Sequence, residues 1–151
     1  MSNLTQLMKK LDEQVATWSV MYMKLHHYHW YVKGPHFFTL HAKFEELYGE
    51  ATTYMDDIAE RMLTLGGEPT SRLQEQLELA FVTEAGNEKT AEQMVAQITA
   101  DFDKIMNELT ETMTEASRIG DDMTEDLLNG IYQQIEKHQW MLRAFLGETN
   151  E

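Results

Sequence analysis

The sequence contains no cysteine, only two prolines and no long uninterrupted hydrophobic run. Without cysteine there are no disulfides and no thiolate chemistry, which fits a cytoplasmic protein. No apolar stretch approaches the ~20 residues of a membrane-spanning helix, and the N-terminal segment lacks the apolar core of a secretory signal. We therefore expect no membrane association. Because prolines are so rare, most of the chain is free to form long helices.

Basic residues are also scarce. There are 26 acidic against 12 basic side chains, which gives a net charge of −14. Such a charge repels nucleic-acid phosphates and attracts cations, although a solubilising acidic surface explains it equally well. The 151 residues, of which 42% are hydrophobic, predict one domain spanning residues 1–151 with a buried core.

Four segments carry apolar residues at alternating spacings of three and four, the pattern of amphipathic helices. They run from Leu4 to Val32, from Phe37 to Leu65, from Ala91 to Ala116 and from Leu127 to Phe145. His29 is an anomaly in the first apolar seam. Each segment is followed by a glycine, and no segment shows a strand pattern. The sequence therefore predicts an all-α fold.

The predicted connections indicate the topology. The links around 33–36 and 120–122 are short, so each flanking helix pair should be an antiparallel hairpin. The middle link, roughly 67–87, is long enough to cross a bundle and carries a short amphipathic piece with Leu73, Leu77 and Phe81. Asp122 and Glu125 have the spacing of a capping box. Two hairpins joined by one long crossover, with a short helix in it, is the ferritin-like four-helix plan.

The second predicted helix carries two pairs of metal-ligand residue types, His41 with Glu45 and Asp56 with Glu60. At about 100° per residue, all four side chains lie within about 100° of one another and share one stripe. Along the axis, however, His41 and Glu60 are ~28 Å apart, too far for one site with metal ions ~4 Å apart. The Glu-x-x-His motif of an intrabundle ferritin site does not occur in the sequence.

A second copy of this helix removes the difficulty. If two copies run antiparallel about a two-fold axis near residue 50, each pair faces the other pair of the mate, and two equivalent sites result. The small residues Gly49 and Ala51 lie at the proposed crossing. His29, near the end of the first helix, would join the site through the short hairpin. Carboxylates with imidazole suit iron, manganese or zinc, and the many oxygen ligands favour iron or manganese.

Structural explanations compete with this interpretation. A lone histidine on an apolar face, such as His29, is more often a satisfied core residue. An Asp-x-x-x-Glu pair on an acidic helix is usually solvated, and Arg61 could pair with either acid. The main rival function is a non-catalytic helical assembly, although carboxylates buried at an interface without a cation are unfavourable. A DNA-compacting module is a third alternative, against which the charge argues.

Together, these residues resemble the signature of the Dps-type mini-ferritins. The matching elements are His29-Trp30, His41-x-x-x-Glu45, Asp56-x-x-x-Glu60-Arg61 and Leu65-Gly66. The resemblance covers nearly the whole chain, and the stretch HWYVKGPHFFTLH is similar to Gram-positive members. It implies a dodecameric hollow shell with a ferroxidase site at each two-fold interface. There Fe(II) is oxidised, preferably by hydrogen peroxide, and ferric mineral is stored inside, which protects against oxidative damage.

The resemblance also implies individual roles. His29, His41 and Glu45 would come from one subunit and Asp56 and Glu60 from its mate, with room for two iron ions. Asp56 and Glu60, with His29, would hold the tighter iron. His41 and Glu45 would serve the weaker position, where many family members carry Asp instead of Glu.

The resemblance also extends to residues outside the five ligand positions. Trp30 resembles an aromatic residue that intercepts oxidising equivalents, and a packed interface aromatic is the alternative. Asp121, Asp122 and Asp126 resemble acids that line three-fold pores, yet helix capping and the helix dipole explain them too. Four histidines match no ligand position and are expected to be structural: His26, His27, His36 and His138.

DNA-binding members of the family often carry a lysine-rich mobile N-terminal tail. Here the first helix is predicted to begin almost at once, and only Lys9 and Lys10 break the acidity near the start. We therefore expect no DNA binding at physiological salt.

Overall fold

The computed structural model describes residues 3–148, and within this range it contains five α-helices and no strand. None of the described helices is long and apolar enough to cross a membrane. The all-α prediction, with a short helix in the crossover, is confirmed. The helices are α1 (Asn3–Tyr31), α2 (Phe37–Thr64), α3 (Leu73–Leu79), α4 (Ala91–Arg118) and α5 (Asp122–Phe145).

Two helical hairpins form the bundle. Helix α1 packs along α2, α4 packs along α5, and α1 also contacts α4. Trp18 on α1 lies at their junction, with its ring centroid 4.9 Å from that of Tyr54 on α2 and 6.2 Å from that of Phe102 on α4. Burying about 200 Å² of such a ring contributes up to ~5 kcal/mol at ~25 cal/mol per Å². The apolar seams read from the sequence supply most of this core.

Glycines end the helices where the pattern placed them. Gly34 and Gly120 have φ values of 100° and 75°, a region that side chains disfavour. The capping box predicted at Asp122 is wrong by one residue. The N-cap of α5 is Asp121, whose side chain accepts a hydrogen bond from the backbone N–H of Thr124. Asp122 is the first residue of α5, and the glycine turn at Gly120 comes directly before the capping residue Asp121.

The crossover between Thr64 and Ala91 packs α3 against α1. The two leucines of this piece, Leu73 and Leu77, are 73% and 46% exposed. The residue that faces α1 is Gln76, which is buried. Its side-chain oxygen accepts a hydrogen bond of 2.6 Å from the Ser19 hydroxyl. A polar anchor, rather than an apolar stripe, therefore holds α3.

A buried ion pair joins α1, α4 and the crossover. Lys24 Nζ lies 2.7 Å from Asp101 Oδ2, and each side chain is 1% exposed. Lys24 also donates to the backbone oxygen of Thr83 at 2.8 Å, and Gln97 donates to Asp101 Oδ1 at 3.0 Å. Buried charges persist only when they are paired and hydrogen-bonded in this way.

Candidate metal centre

His29 and His41 hold each other in place across the α1–α2 hairpin through a pair of reciprocal hydrogen bonds, which we call the histidine lock. Their rings are stacked, with centroids 3.7 Å apart and planes 12° apart. His29 Nδ1–H donates to the backbone oxygen of His41 at 2.7 Å, and His41 Nδ1–H donates to that of His29 at 2.8 Å. Because a carbonyl oxygen only accepts, each Nδ1 carries a proton, so the lone pair of the neutral ring is on Nε2. The lock thus fixes the tautomer that a metal ion requires.

The hairpin geometry explains why this lock forms. His29 lies in the last turn of α1, where carbonyl groups lack a partner within the helix. The connection is short, because α1 ends at Tyr31 and α2 begins at Phe37. Phe37 N–H donates to the Gly34 oxygen at 3.0 Å, which turns the chain back on itself. The first turns of α2 therefore lie beside the last turn of α1, and the two histidines meet.

Glu45, the third residue predicted for this half of the site, lies one turn beyond His41. Its Oε1 is 4.0 Å from His29 Nε2, and its side chain is 62% exposed, so the carboxylate is free to reorient. Tyr48 follows on the next turn, with its ring edge-on to His29 at 5.4 Å. Burial and the negative charge of Glu45 raise the pKa of Tyr48, so its hydroxyl stays protonated beside the site. We call His29, His41 and Glu45 the histidine half.

Asp56 and Glu60, the acidic half, lie further along α2. Their carboxylates and that of Asp57 lie within 4.8 Å of one another, and all three residues are exposed. The alternative that Arg61 pairs with them is wrong. Arg61 is rotated by about 100° from Glu60, and it donates to Asp121 at 2.9 Å instead. Within residues 3–148, no ion pair neutralises the acidic half.

The two halves do not meet within one chain. Asp56 follows Glu45 by eleven positions, which on an α-helix is ~16 Å. The structure thus brings His29 close to both His41 and Glu45, and separately brings Asp56 close to Glu60. Two imidazoles and one carboxylate leave the coordination of a first-row metal ion incomplete. A complete site requires further ligands from outside the chain.

Trp30 stands at the exposed end of an aromatic row beside the histidine half. Its side chain is 59% exposed, and its ring centroid is 5.4 Å from that of His26. His26 in turn stacks on Tyr48 at 3.6 Å and donates its Nδ1–H to the Tyr22 oxygen at 2.8 Å. This contact gives His26 the structural role that the sequence indicated.

The three predicted pore acids occupy different environments at the start of α5. Asp121 accepts from the Thr124 backbone and hydroxyl at 3.1 and 2.5 Å and from Arg61 at 2.9 Å. Burial raises the pKa of Asp121, but these hydrogen bonds and the Arg61 charge outweigh it and lower the pKa below its usual value. The capping alternative is therefore confirmed for Asp121. Asp122 and Asp126 are exposed around a shallow depression, and their pore role stays a prediction.

Two features of this region were not predicted from the sequence. Asp57 adds a third carboxylate to the acidic half, which its position next to Asp56 could have indicated. His138, expected to be only structural, lies with Glu46 and Glu50 in a second group of ligand-type side chains. No sequence signal linked them, because His138 and Glu50 are 88 residues apart.

Comparison with known proteins identifies the fold family. Residues 8–151 match the family model of the ferritin-like domain. The chain belongs to the ferritin-like family. This ferritin-like chain is 56% identical over 142 residues to general stress protein 20U of Bacillus subtilis. The matched residues cover 94% of the chain and 98% of that protein.

Further comparisons narrow the type of ferritin-like chain. It is 52% identical over 143 residues to DNA protection during starvation protein 2 of Bacillus anthracis, covering 95% of the chain and 98% of that protein. Its structure is similar to the crystal structure of Dps from Staphylococcus aureus, with a TM-score of 0.94, 47% identity and coverage of 97% and 98% of the two chains. The resemblance to Dps-type ferritin-like proteins of Gram-positive bacteria is confirmed.

Proposed function

We propose that the chain is an iron-storage and detoxification protein with ferroxidase activity, acting in the cytoplasm as one domain that spans residues 1–151. Each site lies across a two-fold interface, with the histidine half from one subunit and the acidic half from its mate. The observation that carries this proposal is the reciprocal histidine lock. It uses both Nδ1–H groups and so leaves both Nε2 atoms available to a metal ion, on the same hairpin as carboxylates that no cation of the described chain neutralises.

The chemistry explains why two iron ions per site matter. Hydrogen peroxide takes up two electrons when it is reduced to water, and each Fe(II) supplies one. Two Fe(II), one hydrogen peroxide and two protons therefore give two Fe(III) and two waters, with no hydroxyl radical released. Asp56 and Glu60 hold the tighter iron with His29, because hard carboxylate oxygens stabilise the oxidised ion. His41 and Glu45 serve the weaker position, and Trp30 takes up stray oxidising equivalents.

The surface of the chain supports assembly into a larger particle. Several large apolar side chains of the described residues are exposed to solvent. We propose that subunit contacts cover them in a dodecamer built from two-fold dimers, in which ferric mineral is stored. The most exposed of these side chains are Phe38 (85%), Leu73 (73%), Met123 (66%), Trp30 (59%) and Leu63 (59%).

The Asp56→Ala/Glu60→Ala double variant tests the site. We expect its peroxide-driven Fe(II) oxidation to fall by about 100-fold or more, because the loss of a single supporting contact at a metal site already costs about 10- to 100-fold. Protein would be loaded with Fe(II) without oxygen, peroxide added, and the ferric absorbance followed.

The matched control for this variant is Glu92→Ala/Glu136→Ala, which removes the same charge from two exposed positions. It should oxidise iron at the wild-type rate. Equal rates in the acidic-half variant and the control would contradict the proposal and favour a non-catalytic assembly.

Binding to DNA is not part of the proposed function. A net charge of −14 per chain opposes the phosphate neutralisation on which non-specific DNA affinity depends. In a gel-shift experiment with linear DNA at physiological salt, we expect the DNA to migrate as free DNA. Retarded DNA under that condition would overturn this part of the proposal.

A further inference from the structure

A second group of ligand-type side chains lies between α2 and α5, where the ferroxidase proposal has no role for it. His138 on α5 is 7% exposed, and its ring faces Lys43, Glu46 and Glu50 on α2. Ligand atoms of Glu46, Glu50 and His138 lie within 4.8 Å of one another. Glu46 follows Glu45 in sequence but is rotated by about 100°, so it belongs to a different face of α2.

Hydrogen bonding fixes the state of His138. An ammonium group can only donate, so the contact of 3.0 Å from Lys43 Nζ requires His138 Nδ1 to accept. The proton is then on Nε2, which donates to Glu50 Oε2 at 2.5 Å. Histidines that bind a metal through one ring nitrogen usually donate the other N–H to a carboxylate in this way. Here the Lys43 ammonium lies beside His138 Nδ1, the ring nitrogen to which a metal ion would bind.

The surroundings of Lys43 Nζ resemble a mixed coordination sphere. Besides His138 Nδ1, the atoms around it are Glu46 Oε1 at 3.4 Å and Met141 Sδ at 3.7 Å. A nitrogen, an oxygen and a sulfur donor are a borderline set that suits Zn(II), Co(II) or Fe(II) rather than Mg²⁺ or Ca²⁺. Two carboxylates are balanced by one ammonium charge, and a divalent ion would balance them more fully.

We propose that Glu46, Glu50 and His138 form a second site for a divalent transition metal ion, which displaces the Lys43 ammonium. The metal ion binds His138 Nδ1 and Glu46, while Glu50 holds the Nε2 proton and orients the ring. No proton is lost from the histidine, because Nδ1 already carries the lone pair. Lys43, whose side chain is 17% exposed, leaves with its proton and extends its flexible stem into solvent.

Calorimetric titration of the full-length assembly with Co(II) tests this site. The titration uses the His29→Gln/His41→Gln/Asp56→Ala/Glu60→Ala background, so that both halves of the proposed ferroxidase site lack ligands. We expect one Co(II) per chain, bound at least about 10-fold more weakly after His138→Gln. Lys43→Met should strengthen binding by about 10-fold, because the competing ammonium is removed while the stem length is kept. Lys104→Met, which removes an exposed lysine on α4, should change nothing.

The variants Lys43→Met and His138→Gln are expected to change the Co(II) affinity in opposite directions. Tighter binding in Lys43→Met cannot arise from misfolding, so it decides the matter even if His138→Gln disturbs the bundle. Unchanged Co(II) affinity in Lys43→Met, or full binding retained in a folded His138→Gln protein, would overturn the second site. Since the background lacks ligands in both halves, neither result depends on the proposed ferroxidase activity.

Discussion

If the proposed ferroxidase site is shared across a two-fold interface, co-assembly of two inactive variants is expected to restore about a quarter of the wild-type activity. One variant lacks the acidic half (Asp56→Ala/Glu60→Ala), and the other lacks both imidazoles (His29→Gln/His41→Gln). In a mixed two-fold dimer, one interface site combines two intact halves and the other combines two damaged ones. Random pairing makes about half of the dimers mixed, and each contributes one of its two sites. The two variants would be co-expressed with different affinity tags, and particles that carry both tags would be purified. The rate of peroxide-driven Fe(II) oxidation per chain then measures how much activity is restored.

A matched mixture provides the control for this experiment. Chains carrying Asp56→Ala alone and chains carrying Glu60→Ala alone should restore nothing when mixed, because both residues belong to the same half. Recovery in the first mixture but not in the second identifies a site shared between subunits. If neither mixture regains activity although mixed particles form, the shared site is contradicted.

Asp101→Ala is expected to be among the most destabilising single substitutions in the bundle. It leaves the Lys24 ammonium in an interior position that is 1% exposed, and breaking a buried ion pair costs about 3–5 kcal/mol. For a chain of this size, the midpoint of thermal unfolding should fall by ~10 °C. The double variant Lys24→Met/Asp101→Leu should regain most of the loss, because neither charge then remains buried.

An exposed ion pair is the control for the buried one. Lys10 and Glu111 lie 3.3 Å apart with side chains 26% and 62% exposed, and Lys10→Met should change stability by less than about 1 kcal/mol. Thermal unfolding would be followed by circular dichroism at one fixed protein concentration, because assembly raises apparent stability. A similar small shift for Asp101→Ala and Lys10→Met would show that the buried pair is not a major determinant of stability.

The sequence predicted the parts of the fold that local patterns encode. Apolar spacings of three and four located the four long helices, and glycines located their ends. The orientation of α3 was not predictable, because Gln76 packs inward only where Ser19 of α1 offers a hydroxyl. The position of the α5 cap was missed by one residue, since two adjacent aspartates compete and the pattern does not rank them.

The sequence also indicated which residue types could bind metal, because a histidine on an apolar seam and paired carboxylates on one stripe are local features. Contacts between side chains from distant segments could not be predicted from the sequence pattern. The lock between His29 and His41 depends on how the hairpin closes, and Arg61 pairs with Asp121, which is 60 residues away. The group around His138 depends on the contact between α2 and α5. In each case, packing rather than spacing selects the partner.

The acidic half and two residues of the histidine half, His41 and Glu45, lie on α2, and this has a consequence for which changes the helix tolerates. Their separation is set by the number of residues between Glu45 and Asp56 rather than by the identity of those residues. Inserting a single residue there would rotate the acidic half by about 100° and shift it by ~1.5 Å. By symmetry, both sites of a dimer would lose alignment together. This part of α2 is therefore constrained in length more strictly than in composition.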